Sequence, residues 1–243
     1  MSSTTGKSRI DGQAAYVLHS HPFSETSLII EAFSREYGRV ALMARGARRP
    51  RSALRGQLMA FQPLELGWFG LGEMRTLAKV EWVGGQPLLQ AHALLLGYYM
   101  NELLMKLLPR EDAHPALYDA YTEAVRALAF GDTSQASLRR FEISLLRELG
   151  YGLTLDVEAG GEIPVQPHKR YLWAIERGPI ETGAPPDDTP VFTGRALLAM
   201  AKDDFSEQGT LAQAKQLMRT LIHHYLGGQP LSSRRVFKEL QEL

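Results

Sequence analysis

The first third of the chain is built from short segments in which apolar residues alternate with polar ones or run continuously. This spacing is typical of β-strands, because successive strand side chains point to opposite sides. Turn-rich pieces separate five such segments, which are residues 14–20, 27–33, 38–45, 63–69 and 75–83. Five strands in about seventy residues predict a small barrel. The five-stranded oligonucleotide-binding (OB) fold is the natural candidate, because it presents one face and its loops to single strands.

The spacing of the apolar residues becomes helical after the stretch 84–87, Gly-Gly-Gln-Pro. Apolar residues then recur three and four positions apart in six segments: 91–108, 115–130, 134–149, 194–202, 210–226 and 232–243. Residues 153–190 differ, because they are rich in glycine and proline and only 170–175 has the pattern of a strand. The sequence therefore predicts an α+β protein with an OB-fold barrel at 1–86. A helical domain follows at 87–243 and contains an irregular insert near 153–190.

Seven arginines between positions 35 and 55 are opposed there by a single acid, Glu36. The segment carries 7 − 1 = +6 in a chain of zero formal net charge, which leaves −6 on the remainder. Because a guanidinium group can bond a phosphate through two N–H groups, a basic strand and loop of this kind favour a polyanion. The candidate nucleic-acid-binding residues are Arg35, Arg39, Arg45, Arg48, Arg49, Arg51 and Arg55, with Lys79 on the fifth strand. The alternative is a solvated loop whose arginines form only surface ion pairs.

The alternation within the third predicted strand sorts its residues by face. Arg39 and Arg45 share one face, while Val40, Leu42 and Ala44 take the other. The remaining arginines extend the charge into a loop that contains glycine and proline. Too few acids lie nearby in the sequence to pair these arginines locally.

The sequence gives no support for disulfides, a signal peptide or a membrane-spanning helix. No cysteine is present, which excludes disulfides and thiolate metal ligands and fits a reducing compartment. Residues 1–12 lack the apolar stretch of a signal peptide and predict a disordered lead-in. The apolar run 91–108 contains Asn101, Glu102 and Lys106, so a buried helix explains it better than a membrane span. We therefore expect a cytoplasmic protein without a membrane partner.

Catalytic and metal-binding patterns are also missing. Neither HExxH nor GxSxG occurs, and no paired carboxylates have a setting that suggests acid and base roles. His19 with His21, and His223 with His224, lack a third ligand at a plausible spacing. We therefore expect no enzymatic activity, no cofactor and no metal.

The predicted helix at 134–149 carries two apolar stripes, although one core contact needs only one. One stripe consists of Leu138, Phe141, Leu145 and Leu149, and the other of Arg139, Ile143 and Leu146. The adjacent cations Arg139 and Arg140 would rim a groove for an acidic peptide with an apolar end. The candidate partner-binding residues are therefore Arg139, Arg140, Ile143, Leu146 and Leu149. Burial of both stripes in the helical domain is an equal alternative.

Taken in order, several short segments make the sequence resemble the RecO recombination-mediator family of bacteria. None of these segments is specific alone, but their order and spacing cover nearly the whole chain. They are Val17-Leu18-His19-Ser20, Ser24-Glu25-Thr26-Ser27-Leu28, Gly38-Arg39-Val40, Arg45-Gly46-Ala47-Arg48, Asn101-Glu102-Leu103-Leu104, Leu138-Arg139-Arg140-Phe141-Glu142, Leu149-Gly150-Tyr151-Gly152, Thr193-Gly194-Arg195 and Ser233-Arg234.

The resemblance implies an N-terminal OB-fold barrel, a helical domain and, in many members, a zinc-binding insert with paired CxxC motifs. Residues 153–190 occupy the place of that insert without any cysteine, so a zinc site is not carried over. Such proteins bind single- and double-stranded DNA and anneal complementary strands. They engage the acidic tail of single-stranded-DNA-binding protein and join RecR to load the RecA recombinase, which implies a nucleoid-associated location.

Three classes of function remain open at the level of sequence. The first is a non-enzymatic DNA-binding mediator whose arginines shield phosphate repulsion while base edges stay free to pair. The second is an adaptor whose barrel contacts only proteins, and which would show little DNA affinity at any salt concentration. The third is an enzyme such as a nuclease, which would need clustered carboxylates and a metal.

Overall fold

The computed structural model describes residues 9–132, 135–151, 153–184 and 188–241. The strands within these ranges are β1 (Arg9–Phe23), β2 (Ser27–Ser34), β3 (Gly38–Ala44), β4 (Leu64–Phe69), β5 (Met74–Trp82), β6 (Arg170–Ala174), β7 (Gly178–Glu181) and β8 (Val191–Thr193). The helices are α1 (Leu54–Gln57), α2 (Ala91–Leu107), α3 (Pro115–Ala129), α4 (Ala136–Glu148), α5 (Gly194–Ala201), α6 (Gln208–Tyr225) and α7 (Ser232–Gln241). None of these helices is both long enough and apolar enough to cross a membrane.

The first five strands close into a barrel in the order β1-β2-β3-β5-β4. All neighbours are antiparallel except β3 and β5, which run parallel with Met43 beside Thr76. β1 closes the barrel because its first part pairs with β4 and its second part with β2. A register shift between Val17 and His19 accompanies this change of partner, and such bulges bend a strand. The predicted five-stranded OB fold is therefore confirmed.

Alternate residues of the five strands fill the barrel. Its core contains Val17, Ile30, Ala32, Val40, Leu42, Ala44, Leu64, Leu66, Trp68 and Val80, all buried. Arg39 lies on the outer side of β3, as the alternation requires. Arg45 was predicted on the same strand face, but β3 ends at Ala44 and Arg45 is exposed in the turn that follows. The connection from β3 to β4 adds Ala47, Leu54 and Leu58 to the same core.

The first strand is longer than the predicted segment 14–20. Arg9 and Ile10 pair with Phe69 and Trp68 of β4, so part of the predicted disordered lead-in is a strand. Residues 1–8 of that lead-in lie outside the described residues. The four-residue helix α1 was also not predicted, because so short a helix has no helical period to detect.

Contacts divide the chain into two compact units. One consists of Met1–Asp132 with Leu231–Leu243, and the other of Thr133–Pro230. The predicted domains 1–86 and 87–243 instead follow the change in apolar spacing. The first unit gains helices because α2 packs on β1 and α7 packs on α2. Tyr118 of α3 also contacts the rings of Tyr16 and Phe33 on the barrel.

A buried amide joins α2 to the barrel in the first unit. The Asn101 side chain is 3% exposed, and its Nδ2 donates to the Leu18 carbonyl at 2.8 Å. Its Oδ1 accepts a hydrogen bond from the Tyr121 hydroxyl of α3 at 2.7 Å. One side chain therefore satisfies polar groups of a strand and a second helix, where an unpaired group would be costly. The pattern that excluded a membrane span thus reflects this polar anchor inside an apolar helix.

The second unit combines α4, α5 and α6 with a three-stranded sheet in the order β7-β6-β8. β6 agrees with the predicted strand 170–175, but β7 and β8 are strands that the pattern did not predict. Their four and three residues are too few to display alternation, so only pairing with β6 defines them. The predicted helix 134–149 corresponds to α4, which begins at Ala136, and residue 134 lies outside the described residues.

We expect Asn101→Ala to destabilise the protein by about 2 to 4 kcal/mol, because it leaves the Leu18 carbonyl and the Tyr121 hydroxyl without this buried partner. Urea unfolding followed by circular dichroism would measure the loss. Tyr121→Phe is the matched control, because it removes one hydroxyl and one hydrogen bond and should cost less. Equal stability of Asn101→Ala and the parent protein would contradict the proposed anchor.

Candidate nucleic-acid interface

The connection between β3 and β4, residues 45–63, carries most of the arginines of the basic segment. We call it the arginine connection. Four of its arginines are exposed, and their guanidinium groups have no ion-pair or hydrogen-bond partner among the described residues: Arg45, Arg49, Arg51 and Arg55. Their donors therefore stay available to an external anion.

The arginine connection is held by tight turns and an apolar underside. The amide of Arg49 donates to the Gly46 carbonyl at 3.1 Å, and the amide of Ser52 donates to the Arg49 carbonyl at 3.0 Å. Ala47, Leu54 and Leu58 pack into the barrel core. Because these apolar groups face inward, the guanidinium groups are displayed on the outside of a supported loop. This reduces the conformational entropy lost when the loop binds a ligand.

Arg48 ties the arginine connection to the turn between β1 and β2. Its amide donates to the Thr26 carbonyl at 2.9 Å, and its Nη1 donates to the Ser24 carbonyl at 2.8 Å. A carbonyl partner leaves the cationic charge uncompensated, so Arg48 still adds to the positive potential. The predicted residue is thus near the four free arginines but partly committed to the fold.

Arg35 is committed to acids instead. It donates to both carboxylate oxygens of Asp119 at 3.0 and 2.9 Å, and to Glu36 at 2.8 Å. These hydrogen bonds hold the pKa of Asp119 below its ordinary value. Lys79 is similarly paired with Glu81 at 2.7 Å, on the outside of β5. The charges of both cations are therefore largely offset within the protein.

Arg39 belongs to a partly buried cluster around Glu31. Glu31 is 3% exposed and bonds both Arg39, at 3.4 Å, and Arg110. Arg39 Nε also donates to the Leu108 carbonyl at 3.0 Å, just beyond α2. A buried carboxylate requires such partners, since an uncompensated buried charge is strongly unfavourable. Arg39 therefore stabilises the packing of β3 against the end of α2 and does not belong to a free cationic surface.

The structure also locates the candidate partner-binding residues of α4. Arg139 is 5% exposed and forms an ion pair with the buried Glu142 at 2.8 Å. Ile143 and Leu146 are buried, and Leu149 is half-buried. Both apolar stripes of the helix thus face the interior along most of their length.

Arg140 is the member of this set with an accessible guanidinium group. Its Nε donates to both carboxylate oxygens of Asp203, at 2.9 and 2.8 Å. The guanidinium carbon also lies 5.5 Å from the centre of the Phe205 ring, within cation–π range. An exposed cation beside an aromatic ring can receive an acidic group if Asp203 gives way.

Two features of the site were not predicted from the sequence. Arg110, in the segment after α2, forms an ion pair with Glu31. The two residues are far apart in the sequence, so no local pattern indicates this pair. Trp82, at the end of β5, is a largely exposed aromatic residue, which a strand ending in tryptophan could have indicated. Among the described residues, no group of three or more His, Asp or Glu side chains is placed to hold a metal ion.

Comparison with known sequences gives one consistent result. The profile of the family Recombination protein O N terminal matches residues 12–86, and that of Recombination protein O C terminal matches residues 88–235. The DNA repair protein RecO of Aromatoleum aromaticum is 58% identical over 237 residues, which cover 98% of this chain and 99% of the relative. The proteins of the same name from Azoarcus sp. and Dechloromonas aromatica are 58% and 54% identical, with the same coverage.

The different settings of the arginines lead to a stability prediction. Arg39→Ala removes one of the two cations from the buried Glu31 and should destabilise the protein by about 2 to 4 kcal/mol. Arg49→Ala is the matched control, and it should change stability by less than about 0.5 kcal/mol because its side chain is exposed and unpaired. Chemical denaturation of both variants would measure the difference. Similar midpoints for the two would mean that Arg39 does not stabilise the fold.

Proposed function

Since the chain belongs to the RecO family of DNA repair proteins, we propose that it binds DNA through the arginine connection and anneals complementary strands during recombinational repair. The observation that carries the proposal is the set of four exposed guanidinium groups on one supported loop of an OB barrel, which have no partner within the described part of the chain. Their donors match the geometry of phosphate oxygens. The segment 35–55 has a formal charge of +6 and the remainder of the chain −6, so we expect attraction to DNA to concentrate in this segment.

The proposed annealing activity follows from contacts that neutralise phosphates but do not recognise bases. Two complementary strands repel each other through their phosphates, and arginines that neutralise those charges lower the repulsion. Contacts to phosphates carry no sequence information and leave the base edges free to pair. The same contacts accept single- and double-stranded DNA, so the annealed product remains a ligand. No covalent bond changes in these steps, and the proposed role is therefore non-enzymatic.

We further propose that the protein works with the partners that the family resemblance implies. These are single-stranded-DNA-binding protein, reached through its acidic C-terminal tail, and RecR, with which it would load RecA on single-stranded DNA. Arg140 supports a tail contact because its guanidinium group is accessible and its present partner, Asp203, is itself a carboxylate. An acidic tail would replace Asp203. Arg139, Ile143 and Leu146 would support α4 from inside, since they are buried.

The salt dependence of DNA affinity tests the arginine connection. The triple variant Arg49→Ala, Arg51→Ala, Arg55→Ala should reduce the slope of log affinity against log salt by about two units for a single strand, because each lost phosphate contact contributes about 0.7. Fluorescence anisotropy with a labelled oligonucleotide would give the slope. The loss should be similar for every sequence tested.

A matched control changes the same charge elsewhere. Arg147, Arg170 and Arg177 are exposed residues of the second unit, and their triple replacement by alanine should leave the slope unchanged. Equal slopes for all three proteins would place the DNA contact outside the arginine connection. Weak DNA binding at every salt concentration would instead favour an adaptor whose barrel contacts only proteins.

The tail contact gives a separate prediction. Arg140→Glu should weaken binding of a labelled acidic peptide with an apolar end by about tenfold or more, because a charge-assisted hydrogen bond contributes about 1.5 to 3 kcal/mol. DNA affinity should stay near normal. Asp203→Asn is the control, because it removes the carboxylate partner of Arg140 and should not weaken binding of the peptide. Unchanged peptide affinity in a folded Arg140→Glu variant would refute the contact.

A further inference from the structure

Trp82 is 60% exposed at the end of β5, although an indole ring is mostly apolar. Val80, two residues earlier, points into the barrel core, and Trp82 has the same parity. Its neighbour on β4, Leu64, is buried. The ring therefore lies at the mouth of the barrel, where the strands end and one side of it remains open to solvent.

The indole is anchored despite its exposure. Its Nε1 donates to Gln62 Oε1 at 3.2 Å, and Gln62 is only 4% exposed. The next residue is also held, because the amide of Val83 donates to the Pro63 carbonyl at 3.1 Å. A side chain fixed by a buried partner loses little conformational entropy when its free face is covered. Trp82 is thus a rigid aromatic surface rather than a mobile side chain.

The chain topology puts this surface at the same end of the barrel as the free arginines. β3 and β5 are parallel neighbours and run toward the same end of the barrel; Met43 lies beside Thr76, and β5 continues beyond that point to Trp82. The arginine connection leaves β3 with Arg45 and reaches β4 through Gln62, the partner of Trp82. Between them, α1, which carries Arg55, packs against β5. One connection therefore holds both the cations and the support of the exposed ring.

From this juxtaposition we infer that the free face of Trp82 stacks on a base of single-stranded DNA whose phosphates contact the arginine connection. The inference rests on the proposed function and deepens it. Cations along a groove and an aromatic ring beside them are the two elements that bind single strands without sequence preference. Every base offers a π-face, whereas the bases of a duplex are already stacked on each other. Trp82 therefore gives the site a preference for single strands that phosphate contacts alone lack.

Two substitutions of Trp82 separate stacking from other roles. Trp82→Ala should lower the affinity for oligothymidylate by about tenfold, because one base–aromatic stack is lost, while the affinity for a duplex of equal length changes less than about twofold. Trp82→Phe keeps an aromatic face and should bind oligothymidylate nearly as well as the parent protein. Phe130→Ala is the matched control, since Phe130 is 62% exposed directly after α3 and its replacement should affect binding of neither ligand.

Tryptophan fluorescence gives a second readout. Trp68 is fully buried in the barrel and Trp173 is half-buried in the second unit, so an oligothymidylate should quench mainly Trp82. This quenching should disappear in Trp82→Phe although binding persists. The Phe variant decides the question even if the Ala variant does not fold. Quenching that survives in Trp82→Phe would overturn the inference.

The outcomes distinguish this inference from the proposed function. If the arginine triple variant weakens both DNA forms and Trp82→Ala weakens neither, the stacking contact is wrong and the exposed ring docks a protein. If Trp82→Ala weakens both forms equally, the inference is wrong as well. If neither the arginines nor Trp82 affect DNA binding, the proposed interface itself fails.

Discussion

Closure of the barrel by β1 is the constraint on which the other features depend. This strand pairs with β4 along its first part and with β2 along its second, so the sheet has no free edge between them. Closure forces β3 and β5 to meet in parallel. Both strands then run toward the same end of the barrel, where the connection that leaves β3 crosses to β4. The position of the basic loop is therefore a consequence of strand order.

Burial divides cations that look alike in the sequence into two groups. Arg39 and Arg110 neutralise a carboxylate inside the first unit, and Arg35 is paired with Asp119 of α3. The Arg35–Asp119 pair joins the barrel to α3, and the Arg110–Glu31 pair joins it to the segment that follows α2. Among the described residues, the arginines of the connection from β3 to β4 have no such acidic partners, and apolar side chains anchor this connection instead. The fold thus uses some arginines for cohesion and leaves others for a ligand.

The two types of contact proposed at the barrel mouth would complement each other physically. Electrostatic attraction between arginines and phosphates is long in range but insensitive to whether the DNA is single- or double-stranded. Stacking on a fixed aromatic ring is short in range and requires an unpaired base. In the proposed function this combination would favour annealing, because the ring would release bases as they pair while the arginines retain the strands. Trp82 is held by Gln62 and the loop by its turns, so both surfaces are ordered before any ligand binds.

The sequence by itself determined the fold class, since apolar spacing changes from strand to helix near residue 87 and five segments suffice for an OB barrel. It also located the basic segment. Only the tertiary structure decided which arginines are paired and which are free, because the acidic partners of the paired ones are distant in sequence. Asp119 lies 84 residues from Arg35, and Asp203 lies 63 residues from Arg140. It likewise defined β7 and β8, which are too short to show a period and exist through pairing with β6. Local patterns record which side of an element is apolar, whereas ion pairs and short strands depend on neighbours that only folding brings together.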